Sequence, residues 1–195
     1  MGALGCFSFF PTKNLGGFGD AGLVAARDDD LAESVRKLRV HGGRQMYHHE
    51  LVGTNSRLDA LQAAVLRVKL PHLEGWAAAR RTNAAAYDEA FADVPEVLTP
   101  VVAAGNRHVY NQYTVRVRRR DELREALSAQ AIGSGVYYPV PLHLQPCFAD
   151  LGFREGDVPV CEQLCGEVLS LPIFPELVTV RRSRVVDAIR RYYGA

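Results

Sequence analysis

The chain has 195 residues, of which 48% are hydrophobic and 23% charged, and its formal net charge is +1. These proportions are ordinary for a globular protein, and the near-zero net charge gives no electrostatic reason to expect binding to nucleic acid or to an anionic membrane. No apolar run approaches the roughly 18 residues of a membrane span, and the first residues lack the pattern of a signal peptide, so we expect a cytoplasmic protein.

The cysteines and histidines predict neither a metal centre nor a disulfide framework. Cys161 and Cys165 lie four residues apart, but two ligands do not complete a zinc site, and the other two cysteines are isolated in sequence. Three histidines at positions 41, 48 and 49 have no HExxH pattern and no carboxylate-rich partner set. We therefore predict free thiols, a solvated histidine loop and no metal.

The first predicted element is a strand over residues 6–10 that runs into a glycine-rich loop. Pro11 ends the strand because proline has no amide hydrogen to donate to a sheet. The loop glycines, which permit backbone conformations and close approaches that other residues resist, are Gly16, Gly17, Gly19 and Gly22. Lys13 lies at the junction, where a lysine could form a Schiff base with a carbonyl. On spacing alone, a solvated surface lysine is the more common alternative.

Two helices follow in the first third of the chain. A second strand over 22–26 precedes a helix over 28–39, which has acidic residues at its start and basic residues in its last turn. Asn55 or Ser56 is expected to cap the next helix, with Asp59 completing a capping box. The apolar stripe predicted for that helix comprises Leu58, Leu61, Ala64, Val65 and Val68.

Beyond Pro71 the predicted elements alternate between helices and short strands. They are a helix to about Ala92, a loop over 95–105, a strand over 109–117, a helix over 121–130, a short strand over 135–138, and helices over 160–169 and 178–193. This order fits a small two-layer α/β domain.

Four motifs stand in order along the chain. They are Ser8-Phe9-Phe10-Pro11-Thr12-Lys13-Asn14-Leu15-Gly16 with Gly19-Asp20-Ala21-Gly22, Tyr47-His48-His49-Glu50, Gly53-Thr54-Asn55-Ser56-Arg57-Leu58-Asp59, and Tyr138-Pro139-Val140-Pro141-Leu142-His143. Together they resemble the motifs of the DegT/StrS nucleotide-sugar aminotransferases, which are fold-type I pyridoxal-phosphate (PLP) enzymes. The related dehydratases replace the lysine with histidine, so Lys13 favours the aminotransferases.

The resemblance implies an α/β fold, in which the end of the fold-type I PLP-transferase large domain is followed by a small α/β C-terminal domain. The implied parts are residues 1–70 from the cofactor domain, 71–95 as a long connecting helix, and 96–195 as the small domain. The family places its ring-pairing aspartate, stacking aromatic and phosphate loop upstream of the lysine motif, where this chain starts. We therefore expect the C-terminal half of an aminotransferase, inactive or nearly so by itself.

The resemblance also assigns roles to individual residues. Lys13 would hold PLP and act as the general acid and base, while Ser8 and Asn55 would contact its phosphate, Asn55 from the neighbouring subunit. Candidate substrate-binding residues are Tyr138, His143, His48 and Arg57. A local hydrogen bond, a helix cap and a core aromatic are the structural alternatives for Ser8, Asn55 and Tyr138 respectively.

The implied reaction transfers an amino group, with glutamate as the expected donor, to a keto-sugar linked to a nucleoside diphosphate. The Lys13-Asn14-Leu15-Gly16 version of the motif resembles family members that act at a 3-keto carbon. The resemblance further implies a homodimer that shares its site across the interface. The alternative is a truncated, non-catalytic remnant that serves as a dimerisation or interaction domain.

Overall fold

The structure is a computed structural model that describes residues 2–195. It separates into two units, the first ending at Glu74 and the second comprising Gly75–Ala195. The three-part division expected from the family motifs stays a prediction. Within the described residues, no helix combines the length and apolar character needed to cross a membrane.

The first unit consists of a β-hairpin, two helices and the loops between them. Its elements are β1 (Leu4–Ser8), β2 (Gly22–Ala26), α1 (Asp29–Leu38) and α2 (Ala60–Lys69), followed by a 3₁₀ turn over Leu70–His72. The strands pair antiparallel, with Ser8 opposite Gly22. Asp28 caps α1, because its carboxylate accepts the Leu31 N–H at 2.8 Å.

The second unit packs helices against a three-stranded antiparallel sheet of order β3-β4-β5. Its elements are α3 (Leu73–Ala90, which begins just before the boundary), β3 (Val97–Leu98), β4 (Tyr113–Val117), α4 (Arg120–Ala129), 3₁₀ segments over Leu142–Leu144 and Pro146–Leu151, α5 (Pro159–Glu167), β5 (Val168–Leu171) and α6 (Thr179–Tyr193). Alternate residues of β4 are buried, as a strand with one core-facing side requires.

The hydrophobic core lies in the second unit. Its largest fully buried side chains are Tyr87, Tyr113, Phe91, Leu123, Leu127, Leu169, Ile189, Val94 and Val115. Three polar side chains on one face of α3 fix the segment after β5. Arg80 donates to the carbonyl of residue 173 at 2.9 Å, Asn83 to that of residue 174 at 3.2 Å, and Tyr87 to that of residue 172 at 3.0 Å.

The α/β class is confirmed, but several element boundaries were wrong in the second unit. The strand predicted from residue 109 begins only at Tyr113, after Tyr110 takes a left-handed backbone with φ of 41°. The helix predicted over 160–169 ends at Glu167, and the next four residues form β5. The strand predicted over 135–138 is reduced to one bridge, from Gly135 to Ser170.

The predicted start and the predicted buried face of α2 were also wrong. Its N-cap is Asp59, and no side chain there bonds a free N–H, so the predicted capping box does not form. Leu66 is the buried residue of α2, whereas Leu61 and Val68 are 81% and 72% exposed. The predicted stripe therefore faces outward over much of its length.

Candidate functional site

Lys13 lies, exposed, in the loop that joins β1 to β2. The loop is closed at its base, where the Phe9 N–H donates to Ala21 O at 2.8 Å and the Gly17 N–H donates to Phe9 O at 2.8 Å. The Lys13 N–H itself donates to Phe10 O at 2.8 Å, so the lysine backbone belongs to a tight turn. The hairpin thus presents the Lys13 amine from a turn in its connecting loop.

Protein atoms fill much of the space left by the loop glycines. A Cβ on Gly16 would lie 2.5 Å from Pro11 O, and one on Gly17 would lie 2.8 Å from Gln62 Oε1. Real Cβ atoms do not approach other atoms so closely, so Gly16, whose neighbour is backbone, requires glycine for the fold of the loop, whereas a Cβ at position 17 would have to displace the Gln62 side chain. The close approach expected for a ligand is made here by the protein itself.

Ser8 ends β1 and is exposed. Its hydroxyl accepts the Phe10 N–H at 3.2 Å, which is the local hydrogen bond foreseen as its structural alternative. A hydroxyl that accepts one hydrogen bond can still donate its own hydrogen. Ser8 can therefore stabilise the strand end and contact an anion at once.

Asn55 and Arg57 form a polar pair ahead of α2. Arg57 Nε donates to Asn55 Oδ1 at 3.0 Å, and Asn55 bridges to Val40 instead of capping the helix. The cap alternative for Asn55 is therefore wrong. With its oxygen engaged, the Asn55 amide offers N–H donors beside a guanidinium, which is a suitable donor set for a phosphate.

His48 lies on an exposed loop whose backbone packs closely against glycines. A Cβ on Gly43 would lie 1.9 Å from His48 O, so a larger residue could not replace that glycine without moving the loop. The neighbouring His49 ring has Nδ1 3.0 Å from His41 O. Among residues 2–195, no three His, Cys, Asp or Glu side chains are grouped as a metal would need.

Tyr138 and His143 lie in the second unit. Tyr138 is 71% exposed and contacts the Tyr137 ring edge-on, so the core-aromatic alternative is wrong. His143 is largely buried, with Nε2 3.0 Å from Glu162 Oε1 and its ring edge-on to Phe153. Tyr138 is thus available for contact, whereas His143 is already tied to α5.

Glu162, which the sequence did not indicate, organises the surroundings of His143. It also accepts the Gly156 N–H at 2.8 Å and the Val158 N–H at 3.1 Å. These backbone donors, the Gly156 N–H first, together with His143, hold the pKa of Glu162 below its ordinary value despite some desolvation. One carboxylate therefore joins the start of α5, the loop before it and His143.

The predicted site residues are distributed over both units. Those in the first unit are Lys13, Ser8, His48, Asn55 and Arg57, and those in the second are Tyr138 and His143. Besides Glu162, sequence reasoning missed Gln62 and Lys69, two α2 side chains that bond the lysine loop. No local pattern marks such residues, because their partners lie 44 and 53 positions away.

Comparisons with known proteins agree with the fold and the motifs. A "pleiotropic regulatory protein" of Geobacillus stearothermophilus is 49% identical, with 99% of this chain and 52% of that protein covered. The dTDP-3-amino-3,4,6-trideoxy-α-D-glucose transaminase of Streptomyces venezuelae is 47% identical, with 97% of this chain and 50% of the enzyme covered. The crystal structure of S. venezuelae DesV in complex with a ketimine intermediate matches with a TM-score of 0.94 and 47% identity, over 100% of this chain and 53% of that one.

The chain thus spans about half the length of the curated relatives it matches. The profile that describes the DegT/DnrJ/EryC1/StrS aminotransferase family matches residues 1–190. The family resemblance drawn from the four motifs is confirmed. The chain belongs to the DegT/DnrJ/EryC1/StrS aminotransferase family.

Proposed function

We propose that this chain is the lysine-bearing part of a PLP-dependent aminotransferase that acts on a keto-sugar linked to a nucleoside diphosphate, with glutamate as amino donor. The observation that carries the proposal is Lys13, exposed in the loop between β1 and β2 of a chain that matches an aminotransferase family over residues 1–190. The S. venezuelae relative is named for a 3-amino sugar, which supports amination at C3.

The donor set of the first unit fits PLP. The cofactor, when bound, supplies an aldehyde for a lysine amine and an electron sink for the reacting carbon. Lys13 offers the amine, while the Ser8 hydroxyl and the Asn55 amide offer hydrogen-bond donors of the kind that a phosphate needs. Asn55 would serve the phosphate of a neighbouring subunit.

In this proposal each side chain performs one step of binding or proton transfer. Lys13 Nζ would take a proton from the carbon that bears the amino group, hold it as an ammonium, and deliver it to the different carbon that gains a hydrogen in the transfer. Arg57 holds the Asn55 oxygen, so that the amide presents its N–H groups. Tyr138, His143, His48 and Arg57 are the proposed substrate contacts, with His143 oriented by Glu162.

We further propose a cytoplasmic homodimer. Exposed apolar side chains in the first unit support a protein surface that covers them, and they include Phe18, Tyr47 and Val52. A biosynthetic enzyme that uses nucleotide-linked sugars works where such sugars are made, which supports the cytoplasmic assignment.

The test is to incubate the purified protein with PLP, reduce it with borohydride and map the modified lysine by mass spectrometry. The chain has three lysines, so Lys13 is compared with Lys37 and Lys69 in one digest. We expect the label predominantly on Lys13, its loss in Lys13→Arg, and an unchanged amount of label on Lys13 in the control Lys37→Arg. Equal labelling of the three lysines would contradict the proposal for this chain.

A second candidate is a non-catalytic interaction domain of the same family. One observation favours it: the 49% identical relative from Geobacillus stearothermophilus is named a pleiotropic regulatory protein. This candidate predicts no preference for Lys13 in the labelling experiment, together with self-association that does not change when PLP is added.

A further inference from the structure

The lysine-bearing loop is held from one side by α2. Gln62 Oε1 accepts the Phe18 N–H at 2.8 Å, and Lys69 Nζ donates to Gly16 O at 2.5 Å. Gln62 and Lys69 are seven residues apart, about two helical turns, so they project from the same face of α2. Both bonds therefore fix backbone that lies a few residues beyond Lys13.

Two glycines of the loop leave room for the Gln62 side chain. A Cβ on Gly17 would lie 2.8 Å from Gln62 Oε1, and a Cβ on Gly19 would lie 2.9 Å from Gln62 Nε2. The amide thus occupies space that two glycines leave open. Lys69 Nζ also lies 5.7 Å from the centre of the Phe18 ring, within range of a cation–π contact.

We propose that Gln62 and Lys69 are positioning residues for Lys13, an inference that rests on the proposed function. The loop is bonded to Phe9 and Phe10 on one side and to α2 on the other, so the backbone around Lys13 has little freedom. A fixed backbone presents the amine in one place and removes the entropy cost of finding it. Neither side chain needs to touch the cofactor or the substrate.

The test compares four variants and one control variant by two measurements. Gln62→Met keeps the size of the side chain but removes the acceptor, and Gln62→Glu restores an acceptor oxygen. Lys69→Met and Lys69→Arg remove and keep the cation, and Gln45→Met is the control at an exposed glutamine of the same unit. The measurements are amide exchange at Phe18 by NMR and the ratio of PLP–borohydride label at Lys13 to that at Lys37.

We expect Gln62→Met to speed exchange at Phe18 about fivefold, as the loss of one hydrogen bond would. The Lys13-to-Lys37 label ratio should fall about threefold in Gln62→Met and about twofold in Lys69→Met. Gln62→Glu and Lys69→Arg should recover the ratio, which a general loss of folding would not allow. Gln45→Met should match the wild type in both measurements.

Two results would overturn the inference. One is unchanged exchange at Phe18 in Gln62→Met, and the other is faster exchange with an unchanged label ratio. If circular dichroism shows that Gln62→Met has unfolded, Lys69→Met and Lys69→Arg are compared instead. An equal Lys13-to-Lys37 label ratio in these two variants and the wild type would then overturn the inference. A wild-type protein without preference for Lys13 would instead contradict the proposed function, and the exchange measurement would still decide whether α2 fixes the loop.

Discussion

The two units of this chain are held together in different ways. The second unit surrounds its sheet with a continuous cluster of buried side chains, among them Tyr87, Leu127 and Ile189. Of the residues described up to Glu74, Leu66 is the sole buried hydrophobic side chain. The first unit instead takes its shape from hydrogen-bonded loops in which other backbone atoms pack closely against glycines.

Lys13, the proposed reactive residue, therefore lies in the unit that has fewer buried apolar side chains. The hairpin and the loop before α2 carry five of the seven predicted site residues, named above, and expose apolar side chains such as Phe18 and Val52. Backbone packing can fix a loop geometry without a core, while the exposed apolar side chains remain available for contact with another surface. The experiments below test this contrast, from the largest expected effect to the smallest.

Gly42→Ala should have the largest effect. Gly42 has a φ of 85°, and an added Cβ would lie 1.7 Å from Leu51 O, so alanine cannot occupy this position without moving the loop. We expect the loop around Gly42 to lose more than about 3 kcal/mol of stability against local opening. It would be measured as faster amide exchange at Glu50 and Leu51, whose N–H groups donate to Gly42 O.

Gly105 in the second unit is the matched control, because its φ of 78° also favours glycine but nothing lies within 4 Å of an added Cβ. Gly105→Ala should destabilise the protein by about 1 kcal/mol, because alanine disfavours the left-handed backbone but meets no steric clash there. Equal effects of the two substitutions would show that close backbone packing does not hold the first unit.

Leu127→Ala should destabilise the second unit by about 2–5 kcal/mol, because Leu127 is fully buried and the truncation leaves a cavity. Leu61→Ala in the first unit makes the same chemical change at a side chain that is 81% exposed, and it should stay within about 0.5 kcal/mol. Denaturant unfolding followed by far-ultraviolet circular dichroism would measure both. A large effect of Leu61→Ala would place that residue in a buried interface.

Tyr113→Phe should cost about 1–3 kcal/mol. The buried Tyr113 hydroxyl donates to Asp88 Oδ1 at 2.6 Å, and burial together with Asp88 raises the pKa of Tyr113. Removing the hydroxyl leaves the carboxylate without this donor. Tyr138→Phe, at an exposed tyrosine, is the control and should leave the unfolding midpoint nearly unchanged. Similar shifts in both variants would contradict the burial assigned to these rings.

Glu162→Gln should have the smallest effect, and one that depends on pH. The pKa of Glu162 is held below its ordinary value of 4.5, so the folded state binds this proton less readily than the unfolded state. Its stabilisation is therefore present above about pH 4.5 and is lost as the pH falls through the folded pKa. Melting temperatures of the variant and the wild type should differ at pH 7 and converge towards pH 3.

Glu125→Gln, at an exposed carboxyl of α4, is the control for that experiment. A difference between Glu162→Gln and the wild type that stays constant from pH 7 to pH 3 would show that the charge of Glu162 does not stabilise the fold.

The sequence predicted most of the elements whose signals are local. Asp28 caps α1, Asp29 and Asp30 place negative charge in its first turn, and the alternation of β4 matches its buried residues. β5 was missed because a short run such as Val168-Leu169-Ser170-Leu171 fits a buried helix as well as a strand. The true start of β4 depends on the left-handed backbone at Tyr110, for which the sequence carries no clear signal.

At the site, the motif residues could be found from sequence but the residues that support them could not. Lys13 and Asn55 stand in recognisable motifs, whereas Gln62 and Glu162 act through contacts made only after the chain has folded. The outward position of Leu61 also escaped prediction, because helical periodicity shows that a face is apolar without showing what covers it.

The polar face of α3 sets the order in which the second unit can be completed during synthesis. Its donors at Arg80, Asn83 and Tyr87 bond carbonyls that lie 93, 91 and 85 residues further along the chain. Contacts of such long separation form slowly, because a large loop must close first. Arg80 also donates to Tyr110 O at 2.9 Å, but a nascent chain carries the Asn83 and Tyr87 donors without these acceptors until Phe174 has been made, and α6 must still follow to bury Ile189. The second unit therefore reaches its native state only once the residues of α6 have left the ribosome.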